Sequence, residues 1–315
     1  MSNRRRAFLH PAWLLLACLL SVLSRAEPTR PQTPGASPAH VASVRFAVIG
    51  DYGSGSQGEA DIANLIAGWK PDFILTTGDN RYHDQPYERV VGYYFCDFLK
   101  DVRSGARCKG GKAEINAFFP SLGNHDYREG GGLKEYLGYF TLPGKDFPSS
   151  SGNERYYDFV RGPVHFFVLN SNSQEPDGNG VDSRQAAWLK QRLAASTSPW
   201  RIVIFHHPPY SSGDHGPSRR MQWPFGKWGA DAVLGGHDHT YERLEVEGIP
   251  YFVNGLGGKS RYGFPAPLPQ SKIRYNGDYG AMLIEADDTR MRFRFINWKG
   301  EVIDDYVLRR PPAER

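Results

Sequence analysis

Seven side chains with hard oxygen or imidazole donors recur along this 315-residue chain in five short motifs: Asp51, Asp79, Tyr82, Asn124, His206, His237 and His239. Gly50-Asp51-Tyr52-Gly53 offers a carboxylate, with glycines that let the backbone turn sharply beneath a cation. In Gly78-Asp79-Asn80-Arg81-Tyr82, the two carboxylate oxygens of Asp79 could bridge two cations, and Tyr82 could give a phenolate suited to a trivalent ion. Gly123-Asn124-His125-Asp126 supplies a neutral amide oxygen and a histidine able to face a substrate instead of a metal. Val203-Ile204-Phe205-His206-His207-Pro208-Pro209 ends an apolar run on an imidazole, a ligand that suits zinc and iron, and His207 reads as its neighbour. Gly236-His237-Asp238-His239 carries two imidazoles that can splay toward two ions. Taken singly, each has an ordinary reading: a capping Asp, a packed Tyr, a buried structural His. Five in this order point to a pair of cations, which together can clamp a phosphoryl group and acidify a bound water.

The elements that must place these donors are legible around them. Val44 to Ile49 is a short β-rich run leading to Asp51. A helix should follow it, because Ser56 and Glu59 have capping-box spacing and Ile62, Leu65, Ile66 and Trp69 share one face before Pro71. Phe73 to Thr77 is the next strand, so an Asp stands at the carboxyl end of each strand of a strand–helix–strand unit, where ligands gather in open α/β sheets. Phe118 to Leu122, Arg201 to Phe205 and Ala232 to Leu234 lead into the other motifs. Tyr156 to Val160 and Val164 to Leu169 predict a hairpin, Ser183 to Ala194 a helix capped by Asp182 or Ser183, and Tyr279 to Arg309 two or three alternating strands. The stretches 101–113, 128–153 and 255–278 read as long polar loops that could shape a site. The expected fold is α+β, an α/β sandwich of two packed mixed β-sheets flanked by helices, in a single domain over 44–310.

Residues 1–26 read as a signal peptide: Arg4 to Arg6, a short apolar run from Trp13 to Leu23, and a cleavage site after Ala26. A secreted or periplasmic location follows, with no stable membrane insertion after cleavage. Residues 27–43 read as a disordered linker. The net charge of +4 is carried by the leader, whose Arg4, Arg5, Arg6 and Arg25 bring it to zero when removed, so the basic balance is no sign of nucleic-acid binding. Of the cysteines, Cys96 and Cys108 remain after cleavage; in an oxidising compartment they could pair or stay as thiols.

The series Gly-Asp-x-Gly, Gly-Asp-x-x-Tyr, Gly-Asn-His-Asp, Val-x-x-His and Gly-His-x-His resembles that of the purple acid phosphatases, a branch of the calcineurin-like metallophosphoesterases, in their short, tartrate-resistant-like form. The resemblance runs from about Val44 to the C-terminal strands. It implies the four-layer metallophosphoesterase fold. It also implies an Fe3+ ion held by Asp51, Asp79, Tyr82 and His239, and a divalent Fe, Zn or Mn held by Asp79, Asn124, His206 and His237, with Asp79 shared. His125 and His215, the latter nine residues after His206, match the two catalytic histidines that hold no metal. The expected activity is hydrolysis of small phosphate monoesters by a monomeric enzyme through hydroxide generated on the metals. A phosphodiesterase or nucleotide pyrophosphatase on the same metal core is the alternative, and an inactive relative that binds a partner through its loops is the rival outside enzymes.

Overall fold

The computed structural model describes residues 43–100, 112–143 and 151–311. Among the described residues, thirteen strands form two sheets. The first contains β1 (Val44–Ile49), β2 (Phe73–Thr76), β3 (Phe118–Pro120), β11 (Gly280–Ala286), β12 (Arg290–Asn297) and β13 (Val302–Arg309), in the order β13-β12-β11-β1-β2-β3. The second contains β4 (Tyr157–Arg161), β5 (Val164–Val168), β6 (Trp200–Ile204), β7 (Ala232–Gly235), β8 (Tyr241–Val246), β9 (Ile249–Asn254) and β10 (Ser271–Tyr275), in the order β10-β8-β9-β7-β6-β5-β4. Both are mixed: β1, β2 and β3 run parallel, as do β5, β6 and β7, while β11 pairs antiparallel with β1 and β4 antiparallel with β5.

Alternation along the strands builds the layers, because successive side chains leave opposite faces of a sheet. Phe166, Val168, Ile202, Ile204 and Leu234 point to the seam between the sheets. Aromatic rings fill it: Phe46 stacks on Phe73 at 5.1 Å and meets Phe166 edge-on at 5.0 Å, and Phe252 stacks on Phe293 at 4.8 Å. The intervening residues Phe167, Val203, Phe205 and Val233 pack under a helix on the far side. The helices are α1 (Gln57–Trp69), α2 (Tyr93–Phe95, continuing a π turn), α3 (Asn124–Arg128), α4 (Leu133–Tyr139), α5 (Arg184–Ala195) and α6 (Phe225–Trp228). α1 buries Ile62, Ala63 and Ile66 in the first core, and α5 buries Ala186, Leu189 and Leu193 in the second. The result is a four-layer sandwich, as expected.

The caps fall where the sequence places them. Ser56 accepts from the Glu59 amide and Ser183 from the Ala186 amide. Two expectations change, and one segment without a reading gains structure. The stretch 128–153 contains α4, 255–278 contains the edge strand β10, and a hairpin, β8–β9, lies between the last histidine motif and that stretch. Trp223 and Phe225 belong to the second core. Cys96 is disulfide-bonded; Cys108, like the stretches read as leader and linker up to residue 42, lies outside the described residues.

Candidate metal centre

Five strands deliver the donors to one edge. Asp51, Asp79 and Asn124 follow β1, β2 and β3, three parallel neighbours of the first sheet; His206, His237 and His239 follow β6 and β7 of the second. The two sheets interlock there: the His206 imidazole donates from Nδ1 to the Thr77 carbonyl at 2.8 Å, and the Asn254 amide donates to the Val48 carbonyl at 2.9 Å. Asp51, Asp79 and His237 have φ of 57°, 52° and 69°. Such left-handed backbone at non-glycine residues tends to cluster where function requires a particular aim.

All seven donors converge. The Tyr82 hydroxyl lies 3.3 Å from Asp51 Oδ1, 3.1 Å from Asp79 Oδ2 and 3.2 Å from His239 Nε2. Asp79 Oδ2 is also 3.4 Å from His206 Nε2, which stands 3.0 Å from Asn124 Oδ1 and 3.1 Å from His237 Nδ1. One carboxylate oxygen thus faces both groups. The hydrogen bond from His206 Nδ1 to Thr77 leaves Nε2 facing the cluster, and Ser260 bonds His239 Nδ1 in the same way. Asp51, Asp79 and His206 are essentially excluded from solvent.

The electrostatics fit a buried cation. Burial would lower the His206 pKa, yet Asp79 and Asp51 push it up to about 9. Burial would raise the Asp79 carboxyl, but His206 and His125 hold it well below the usual carboxylate range. Burial, Asp79 and Asp51 push the Tyr82 phenol well above its ordinary value. Burial and the rings of His206, His207 and His215 push His237 far down, toward the neutral imidazole. The carboxylates retain a proton on His206 that a metal ion would replace.

The two histidines expected to serve the substrate flank this cluster. The His125 ring packs 4.4 Å from that of Tyr82, and its Nδ1 meets Glu129 Oε1 at 2.7 Å, leaving Nε2 for other partners. His215 stacks on His237 at 4.2 Å. Its loop is fixed by Asp238, which accepts from the His215 amide at 2.7 Å and from the Ser211 hydroxyl, while the buried Glu242 accepts from the Ser212 amide at 2.7 Å.

Several participants carry no role in the sequence reading. Asp126 accepts from the Gly123 amide at 2.8 Å, the Asn80 side chain at 2.9 Å and the Tyr87 hydroxyl at 2.8 Å, tying the second motif to the third. Burial and Asp79 push its carboxyl up to about 6. His207 is more than a neighbour: its ring lies 4.5 Å from His237 and its Nδ1 meets the Ser171 hydroxyl at 2.8 Å. Burial and His206 push it down to about 3. Tyr262 stacks on His239 at 4.1 Å. Only Glu129 had a usable signal, four residues after His125 on one helical face.

This edge of paired sheets, with carboxylates, a phenol and imidazoles at strand ends, defines a phosphoesterase of the metal-dependent kind, and the chain belongs to the calcineurin-like phosphoesterase family, whose profile matches residues 44–241. It is similar to tartrate-resistant acid phosphatase type 5 of Rattus norvegicus, with 26% identity over 87% of this chain and 93% of that protein. It is likewise similar to purple acid phosphatase 17 of Arabidopsis thaliana, with 26% identity over 93% of this chain and 92% of that one. Among solved structures, a purple acid phosphatase from yellow lupin seeds superposes with a TM-score of 0.66 at 18% identity, covering 87% of this chain and 55% of its own. GAP50, the anchor in the inner membrane complex of Plasmodium, superposes at 0.63 with 19% identity, covering 86% and 90%. The last two likenesses concern the fold alone.

Proposed function

We propose that this phosphoesterase hydrolyses phosphate monoesters at a two-metal centre. Asp51, Tyr82 and His239 would hold a ferric ion, Asn124, His206 and His237 a divalent Fe, Zn or Mn, and Asp79 both. The observation that carries this reading is the position of Asp79 Oδ2, 3.1 Å from the Tyr82 hydroxyl and 3.4 Å from His206 Nε2, between the two donor groups. When bound, the ion pair supplies Lewis acidity to the phosphoryl group and to the attacking water. The chain's own groups do the rest. Glu129 orients His125 to donate to a phosphoryl oxygen, and the Asp238 clamp holds His215 where it can protonate the departing alkoxide. The fold is shared with an anchor protein, so the fold does not decide activity; the complete donor set favours an enzyme.

We further read residues 1–26 as a cleaved leader, 44–310 as one catalytic domain, and the mature protein as a secreted or periplasmic monomer. Among the described residues, no helix is long and apolar enough to cross a membrane. The test is Asp79→Asn in purified protein, with elemental analysis and turnover of 4-nitrophenyl phosphate against a diester. Loss of both metal and turnover is expected, and wild-type protein should prefer the monoester. Unchanged metal content and unchanged rate in the variant would sink the proposal.

A further inference from the structure

Arg81 is the one charged side chain of the second motif with no part in the chemistry so far, yet only 1% of it is exposed. An arginine in the interior costs more than an apolar side chain of similar volume unless it is well paired. Its Nε is buried and, among the described residues, has no partner. The two ends of the guanidinium, by contrast, grip one loop as a fork. Nη1 donates to Glu135 Oε2 at 2.6 Å, and Nη2 donates to the Glu129 carbonyl. Its Cζ lies 4.5 Å over the ring of Tyr87, whose hydroxyl is held by Asp126, so the plane is fixed as well as the ends. Glycine at 130 lets the loop close on it: φ is 49°, and a Cβ there would stand 2.9 Å from Glu135 Oε2 and 3.0 Å from Arg81 Nη1. Asp84 adds two more ties, donating from its amide to Glu129 Oε2 at 3.2 Å and accepting from the Gly130 amide.

What this loop carries is the partner of His125. The helix α3 has five residues, too few to hold a direction by itself. Its start is set by the His125 amide, which donates to Asp79 Oδ1 at 2.8 Å, and its end at Glu129. Glu129 Oε1 then meets His125 Nδ1 at 2.7 Å. Arg81 thus reaches His125 at one remove: guanidinium to Glu129 backbone, Glu129 carboxylate to imidazole. A lysine would offer a point charge where two acceptors at set angles require a planar fork.

We propose that Arg81 is a positioning residue for His125, fixing through Glu129 and Glu135 where that imidazole points. The inference rests on the phosphatase reading above, in which His125 donates to a phosphoryl oxygen.

The test is a double-mutant cycle on the metal-loaded protein, reading kcat for 4-nitrophenyl phosphate together with metal content by elemental analysis. Arg81→Met should lower kcat about tenfold or more with metal content unchanged. In a His125→Ala background the same substitution should lower kcat by no more than about twofold, because residues that act as one unit do not add. A purely structural role would carry its full loss into both backgrounds. Glu135→Ala frees Nη1 from a carboxylate whose side chain is 40% exposed, so it serves where Arg81→Met fails to fold; it too should lower kcat only while His125 is present. Equal losses with and without His125, or no loss from either substitution, overturn the inference alone. Metal lost in step with rate also overturns it, and assigns Arg81 to the neighbouring Tyr82 instead. A His125→Ala variant as fast as wild type removes the role of His125 and Arg81 with it, while the two-metal reading stands. Wild-type protein inert toward both 4-nitrophenyl phosphate and a diester overturns the phosphatase reading itself.

Discussion

Gly123→Ala tests whether the placement of Asp79 sets activity. Gly123 has φ −95° and ψ 177°, an extended conformation open to alanine, so the backbone itself raises no objection. The obstacle is space. A Cβ there would stand 2.1 Å from Asp79 Oδ1 and 2.2 Å from the Asp79 amide nitrogen. The second contact is with backbone and cannot be relieved by a rotamer change. Real Cβ atoms do not come nearer than 3.0 Å, so the two segments must part by about 0.8 Å. A misplacement of roughly 1 Å can cost about a hundredfold in rate, and overpacking typically costs about 1–3 kcal/mol of stability. Gly68→Ala is the control: it lies in α1, a Cβ there meets nothing within 4 Å, and alanine should stabilise the helix by about 1 kcal/mol. Turnover of 4-nitrophenyl phosphate and thermal unfolding would be measured for both. Gly123→Ala with wild-type turnover would refute the reasoning, because Asp79 could then move without consequence.

Tyr82→Phe should abolish a visible ligand-to-metal absorption band while leaving the fold intact, because only the hydroxyl reaches the cluster; a protein without such a band in any redox state would remove iron from the centre. Glu129→Leu frees the His125 ring and should lower kcat about tenfold or more, whereas Glu129→Gln, which keeps an acceptor for Nδ1, should restore most of it; equal losses would show that Glu129 does not act by aiming His125. Glu59 gives a stability prediction with a definite sign. Its carboxyl is buried, accepts from the Gly55 amide at 2.6 Å, and has its pKa pushed well above the ordinary 4.5 by burial. Folded protein therefore holds that proton more tightly than unfolded chain, so the contribution is fully present below the unfolded value and lost as pH rises through the folded one. Glu59→Gln should raise Tm at neutral pH and lose that advantage toward about pH 4; a Tm difference independent of pH would count against it.

The strands that carry the donors were readable because they are short β-rich runs, four of the five leading into glycine-bearing motifs, and both long helices announce their caps in Ser56 and Ser183. The β8–β9 hairpin escaped for a local reason. Its turn is Glu247-Gly248, with φ of 50° and 83°, and glutamate is not the residue that usually signals two left-handed positions. β10 is an edge strand in polar surroundings, and α4 begins after three glycines, so neither shows a strong period. The supporting polar groups were hidden for another reason. Asp126 acts through Asn80 and Tyr87, Ser260 through His239 and Asp238 through His215, and such pairings form only once distant segments meet.

The hydrogen bond from His206 to Thr77 has a consequence beyond aiming one imidazole. It crosses the join between the layers, so the reaction chamber has no frame of its own and borrows its shape from the aromatic interior behind it. Drift in rings such as Phe73 or Phe166 would then be felt first as slackened grip on the ions, well before the chain melted. Evolution could reshape the rim of this protein freely, but the packing of its middle would be policed by chemistry as much as by folding.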